Sequence, residues 1–306
     1  MTVIDRTEGG ANRRVLSSYL RETTKSTWRI LRASPLSMVG FVLAFAYLAV
    51  ALVVFIGGNH VLPYPPLALN TGAPKSFPSL SHPFGTDSLG RDIFSRVLAA
   101  TPLDMGIGFG VAGLAMLVGG GVGMIAGFRG GLVESLLMRI TDIFLSVPSL
   151  ILALAISVAL HPSVLHSIEA ISVVWWASYA RLARGQTLAA KNQLYVVAAR
   201  ASGTREHVIL GRHIFRNVFD TLLIYLTMDI GTVILTFSTL SFLGVGVPPQ
   251  IPEWGNMVYQ GQVFIYTQPW IPLIPGFAIF FSVFAFSLIG DALRDILDPR
   301  TRKSMV

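Results

Sequence analysis

The sequence predicts an all-α membrane protein with six transmembrane helices and both termini in the cytosol. Three observations carry this. Of 306 residues, 53% are hydrophobic and 13% charged, whereas a soluble domain carries about 25% charge. Six apolar runs read as crossings of a hydrocarbon core roughly 30 Å thick. The Lys and Arg residues between those runs fall unevenly, twenty on one assigned side and three on the other. A bias of that kind orients membrane proteins. The net charge of +7 therefore expresses topology, and no nucleic-acid partner is needed to explain it. Cysteine is absent, which excludes disulfides and thiolate metal sites. The dipeptide Gly-Lys is absent as well, and with it the usual phosphate-cradling loop for ATP.

Residues 1–35 form a polar, basic, cytoplasmic N-terminal segment with seven Lys or Arg. Residues 36–56 carry no charge and form the first transmembrane helix. The long basic leader and the missing small-residue cleavage site read as a retained helix rather than a signal peptide. Residues 57–102 form an extracytoplasmic loop. Its first part is proline-rich, with Pro63, Pro65, Pro66, Pro74 and Pro78, and is expected to be irregular. Its second part suits a short amphipathic helix, capped by Asp87 or Ser88, with Asp92 and Arg96 as an i,i+4 pair.

A five-helix core spans residues 103–293. Its first helix runs from about Leu103 to Phe128, with Gly119, Gly123 and Gly127 every fourth residue and Gly106 and Gly110 at the same spacing. Small faces like these let membrane helices approach closely. The next span, about Leu136 to Leu160, is kinked at Pro148. Spans follow at about Ile168–Leu182, Val218–Leu243 and Trp270–Leu288, and residues 294–306 form a cytoplasmic tail.

Between the fourth and fifth spans lies a basic segment, residues 186–217, longer than a simple connection requires. Leu194, Val197, Ala198 and Ala201 recur at helical spacing. Gly203 stands where a helix ends in a left-handed cap, and Thr204 where the next begins. The segment reads as two short helices joined by a tight turn.

Ionisable residues inside spans are functional candidates, because burial in lipid is expensive. Asp229 lies near the middle of the fifth span and is expected to face the protein interior or a water-filled path. A purely structural hydrogen-bonding role is the competing reading. Asp104, Asp142 and Glu169 sit near span ends, where solvated or capping roles are expected. The six histidines show no metal-ligand spacing, so no metal site is expected, and no catalytic constellation is visible. Trp175, Trp176 and Tyr179 are expected to pack or anchor.

Several stretches carry a resemblance. They are His82-Pro83-Phe84-Gly85-Thr86-Asp87-Ser88-Leu89-Gly90-Arg91-Asp92, Met138-Arg139-Ile140-Thr141-Asp142-Ile143-Phe144 and Tyr179-Ala180-Arg181-Leu182-Ala183-Arg184-Gly185-Gln186. Further on come Leu240-Ser241-Phe242-Leu243-Gly244-Val245-Gly246, Trp254-Gly255-Asn256-Met257 and the run from Gly290 to Arg300. In this order and spacing the chain resembles the second inner-membrane permease of the dipeptide/oligopeptide/nickel class of ABC importers. The resemblance implies the six-helix fold of type I importer permeases. It also implies that residues 186–217 form the cytoplasmic coupling loop.

Ala198, Ala199, Gly203, His213 and Asn217 match the loop's pattern. Val197 stands where the family has a glutamate that pairs with a basic ATPase residue, and Arg216 where proline is usual. Arg200, Arg205 or Glu206 would supply a substitute contact. By resemblance, the ATPase-coupling residues are Ala198, Ala199, Arg200, Gly203, Thr204, Arg205, Glu206, His207 and Gly211. Asp87, Arg91, Asp92 and Trp254 are candidates for docking an extracytoplasmic solute-binding protein. The implied partners are a second homologous permease, two ATPase subunits and that binding protein, in a lipid bilayer. This chain would hold no cofactor; ATP and Mg would sit on the ATPases. Peptides are the leading solute. Oligosaccharide uptake by the same importer class, or ion-coupled secondary transport at Asp229, are the alternatives.

Overall fold

In a computed structural model, residues 35–297 are described. The N-terminal segment assigned to residues 1–35, all but its last residue, and most of the tail, from residue 298, lie outside them. Among the described residues the fold is helical, with one isolated bridge between Thr86 and Asp92 in place of any sheet.

Helix α1 (Pro35–Gly57) is apolar all round and buries only Ser37, Gly40 and Ala44. A Cβ on Gly40 would lie 2.5 Å from the Leu288 Cβ, so this glycine lets α1 lie flush on the last helix. Helix α2 (Ile93–Arg129) has 37 residues and begins ten residues before the expected start. The short amphipathic helix expected ahead of it is the first turns of α2 itself. Its N-cap is Asp92, which accepts from Ser95 N at 2.7 Å, rather than Asp87 or Ser88. The i,i+4 pairing of Asp92 with Arg96 does not form, because Asp92 is committed to this cap and to His82.

Helix α3 (Gly131–Leu145) and helix α4 (Ser149–Ala159) replace the single kinked span. They meet at 82°, because Pro148 lacks an N–H and holds an extended backbone at the break. Helix α5 (Val164–Lys191) outruns its apolar stretch at both ends, started by the Ser163 cap on His166 N. Helix α6 (Leu194–Ala201) is short. Helix α7 (Glu206–Phe242) contains a π-helical stretch at Ile209–Ile214. Helix α8 (Trp254–Gly261), absent from the sequence reading, is capped by Glu253, and helix α9 (Trp270–Leu297) closes the bundle.

Four of these helices, α1, α2, α7 and α9, are long and apolar enough to cross a membrane, and the α3–α4 pair makes a fifth when counted as one bent crossing. The most extensive packing joins α2 to α5. Its cause is the glycine row: a Cβ would meet Trp176 O at 2.1 Å from Gly119, and Ala180 O at 2.2 Å from Gly123. Only hydrogen fits there. Large apolar side chains such as Phe45, Phe55, Leu117 and Ile143 point outward from the bundle, as expected of a surface facing lipid rather than water.

Candidate functional site

Three regions carry the chemistry, one within the bundle and one at each end of α2. Within the bundle, α7 places Asp229 in the interior at 5% exposure. Trp175 Nε1 and Tyr179 OH, one turn apart on α5, both donate to Asp229 Oδ2 at 2.8 Å. Tyr225 stacks edge-on against Tyr179. Asp229 also lines a cavity of about 520 Å³ set in the elbow between α3 and α4, with Pro148, Ser149, Ser178, Tyr225 and Thr232 on its walls. The carboxylate is thus both hydrogen-bonded and beside open space, so the interior position expected of it is observed. Trp175 and Tyr179 pack as expected, and they also orient the acid.

At the C-terminal end of α2, the basic segment forms a helix–turn–helix. Helix α6 ends as Gly203 enters the left-handed region (φ +76°). Gly203 N donates to Arg200 O and Thr204 N to Ala199 O, at 3.0 and 3.1 Å. These bonds close the helix end with a left-handed glycine. The next helix is capped at Arg205, whose carbonyl accepts from Val208 N and Ile209 N, and not at Thr204. Val196, Ile209 and Ile214 are fully buried and anchor the unit. Tyr195 OH accepts from Asn217 Nδ2, tying the two arms together. Nearby, Lys191 Nζ donates to Phe128 O at 2.7 Å.

Ala198, Arg200, Gly203, Arg205, Glu206, His207 and Gly211 are exposed, with Ala199 and Thr204 half-buried. Leu194 and Val197 are 86% and 51% exposed. The face that the apolar spacing marks is therefore the outward one, and Val196 provides the inward anchor.

At the N-terminal end of α2, residues 57–92 and α8 build a cap. Asp87 Oδ1 accepts from Leu89 N and Arg91 N, and Oδ2 from Arg91 Nε at 2.6 Å. Arg96 Nε stands 3.9 Å from the same carboxylate, and its Nη1 donates to Pro66 O. His82 Nδ1 lies 2.9 Å from Asp92 Oδ1. Arg91 also donates to Gln260 at 2.8 Å, joining the loop to α8. Trp254 is fully buried and donates through Nε1 to Val97 O at 3.1 Å. All four residues named for docking (Asp87, Arg91, Asp92 and Trp254) are buried within this chain. They shape the cap, and its exposed surface is built from their neighbours.

Comparison with known proteins fits this architecture. Residues 119–303 match the family described as the binding-protein-dependent transport system inner membrane component. The chain is 37% identical over 276 residues to the probable D,D-dipeptide transport system permease protein of Escherichia coli, covering 90% of this chain and 91% of that protein. It is 34% identical over 291 residues to the dipeptide transport system permease protein of Alkalihalophilus pseudofirmus, covering 92% of each. It is 37% identical over 272 residues to the oligopeptide transport system permease protein of Bacillus subtilis, covering 89% of this chain and 88% of that one.

The chain belongs to this permease family. It is the multi-pass inner-membrane component of a binding-protein-dependent ABC importer.

Two features of the permease escaped the sequence. One is the pair of donors on Asp229, although Trp175 and Tyr179 sit at the i,i+4 spacing that puts two side chains on one helix face. The other is a buried acid pair. Asp104, expected to be solvated or capping, is fully buried, and its Oδ2 accepts from Trp254 N at 3.3 Å. Glu253, also fully buried, accepts from Gly255 N at 2.8 Å and Asn256 N at 2.6 Å. Burial pushes the Glu253 carboxyl up from its usual range, against the downward pull of these N–H bonds and of Ser241 and Asp104. An acidic residue just before Trp254-Gly255-Asn256 was the available signal, since such residues cap helices.

Proposed function

We propose that this permease forms half of the translocation path of an importer for short peptides, driven by ATPase subunits that dock on residues 186–217. Three relatives whose names specify dipeptides, D,D-dipeptides or oligopeptides support the solute class. The observation that carries the coupling role is the exposed helix–turn–helix at Leu194–Ile214. It is rigidly closed at Gly203, anchored from below by Val196, Ile209 and Ile214, and offers Leu194, Val197, Arg200, Arg205 and Glu206 outward. A stiff element fixed to the bundle can transmit a push, whereas a solvated linker cannot.

In this reading α5 is the sixth crossing, both termini are cytoplasmic, and the cap at the N-terminal end of α2 faces the extracytoplasmic binding protein. Ala198, Ala199, Arg200, Gly203, Thr204, Arg205, Glu206, His207 and Gly211 form the ATPase contact, with polar contacts from Arg200, Arg205 and Glu206 where Val197 replaces the family's glutamate. Asp229 lines the path, held by Trp175 and Tyr179 so that its free edge meets the cavity. ATP and Mg belong to the partner subunits. Transport then requires two states whose equilibrium ATP and the loaded binding protein both bias.

Co-purification from mildly solubilised membranes, followed by mass spectrometry, tests the assembly. A second permease, ATPases and a binding protein loaded with peptide support it. A chain that purifies alone and still transports in ATP-free vesicles overturns it and favours ion coupling at Asp229.

A further inference from the structure

Glu253 and Asp104 meet where the start of α8 packs against α2 and α7. Glu253 is well supplied with donors, since Oε1 accepts from Gly255 N at 2.8 Å and Ser238 Oγ at 3.2 Å, and Oε2 from Asn256 N at 2.6 Å. Asp104 is poorly supplied. Its Oδ2 receives only the long bond from Trp254 N, and its buried Oδ1 has no donor within bonding geometry. Ser241, 1% exposed, lies beside Glu253. The Trp254 N–H that Asp104 accepts belongs to the residue next to Glu253, so the two carboxyls are close enough to interact.

Among the described residues, the groups packed around the pair carry no compensating charge. From α1, Tyr47 meets the Trp254 ring edge-on and gives its hydroxyl to Ala278 O. From α2, the nearest cation toward its N-terminus is Arg96, which is turned to Asp87 and Pro66 O. Ser238 and Ser241 come from α7 and Asn256 from α8. Two adjacent carboxylates without a cation cannot both stay ionised in a buried site. Since an ionised carboxylate only accepts, the two can bond to each other only when one of them holds a proton.

We propose that Asp104 and Glu253 bind one proton between them, and that this proton latches the start of α8 onto α2. Placed on Asp104 Oδ1, it turns an orphan acceptor into a donor to Glu253. Glu253 stays the anion, where the two N–H groups at the start of α8 stabilise it. Loss of the proton to solvent leaves two carboxylates facing each other, and α8 loses its hold on α2. The folded chain binds a proton that the unfolded carboxyls release near neutral pH. The latch is therefore fully present at low pH and is lost as pH rises through the titration of the pair.

The test uses the full-length permease co-purified with its partner subunits in nanodiscs. Infrared difference spectra at neutral pH are expected to show a protonated-carboxyl band that Asp104→Asn abolishes. The thermal midpoint of the wild type is expected to fall as pH rises, with a much flatter profile in Asp104→Asn, whose amide still donates to Glu253 but does not titrate. Should that variant fail to assemble, Glu253→Gln is expected to remove the same band. A band untouched by both substitutions overturns the proposal. So does a midpoint that follows sodium concentration at fixed pH, since a cation would then hold the site.

Discussion

Adding one methyl group at Gly119 should loosen the interface on which the bundle is built. The Cβ of Gly119→Ala would lie 2.1 Å from Trp176 O and 2.7 Å from the Tyr179 Cβ, against ordinary contacts of 3.4–4 Å. Both obstacles are backbone or first side-chain atoms, so no rotamer change relieves them. The helices must part by about 1.3 Å, and gaps of 0.5–1 Å already forfeit roughly a quarter to a half of each dispersion contact. Overpacking in a close-packed interior costs about 1–3 kcal/mol, and Gly119→Ala and Gly123→Ala belong at the upper end. Gly127→Ala, with its nearest atom at 2.9 Å, should cost about 1 kcal/mol. Gly121→Ala meets nothing within 4 Å and should be neutral or gain up to about 1 kcal/mol of helix propensity.

Equilibrium unfolding of the full-length chain in detergent, followed by tryptophan fluorescence, reads this series directly. A cost of about 3 kcal/mol shifts the folding equilibrium roughly 100-fold. Because Tyr179 sits on Gly119 and donates to Asp229, uptake should fall in step with stability for Gly119→Ala. Equal stabilities for the Gly119 and Gly121 variants would refute the close-approach argument.

Other outcomes follow from the same geometry. Asp229→Leu removes the acceptor of two buried donors and should destabilise the chain by about 1–3 kcal/mol per orphaned group. Asp229→Asn should stay near wild type in stability while uptake changes; unchanged uptake kinetics with lower stability would make Asp229 purely structural. Gly203→Val forces a β-branched residue to positive φ, costing about 1–2 kcal/mol locally. Membrane insertion should survive while ATP-driven uptake is lost, and normal uptake would remove the turn from the coupling role. Asp87→Ala strands the Arg91 and Arg96 guanidinium groups, which a buried pair converts into a loss of about 3–5 kcal/mol. Limited proteolysis should then cut within residues 57–92, and a protease-resistant loop would show that the cap does not depend on this carboxylate.

The sequence made the apolar runs visible because lipid demands them, and the glycine row because its spacing repeats on one face. Gly203 was legible for a local reason, since a left-handed cap depends on one residue and its neighbours. What stayed hidden depends on distant partners. Asp92 could be placed as half of an i,i+4 pair, yet His82 and Ser95 claim it first. Asp104 looked solvated beside a span end until α8, about 150 residues later, folded over it. The sequence predicts a shorter α5 because Arg181, Arg184 and Lys191 interrupt its apolar pattern. Arg181 and Arg184 are balanced by Asp142 and Glu134 across the neighbouring helix, each at 2.5 Å. The spacing of Leu194 and Val197 marks an apolar side of α6, and the structure turns that side outward, because periodicity reports that a helix has an apolar side and not where that side points.

The lengths of α2 and α7 have a mechanical consequence. Each has 37 residues, about 55 Å of helix, well beyond a hydrocarbon core of about 30 Å. In the proposed orientation the surplus of α2 projects outward and is built into the cap, while that of α7 projects inward and begins just after the Gly203 turn. The two run antiparallel and touch where Gly108 meets Ile234 and Gly120 meets Leu222. They form an antiparallel pair of beams that overhang opposite faces and bear on each other between these two contacts. A tilt of about 5° there, over an arm of roughly 25 Å, displaces each tip by about 2 Å. A small rotation at the waist of the bundle is thus enough to be felt on both sides of the membrane at once.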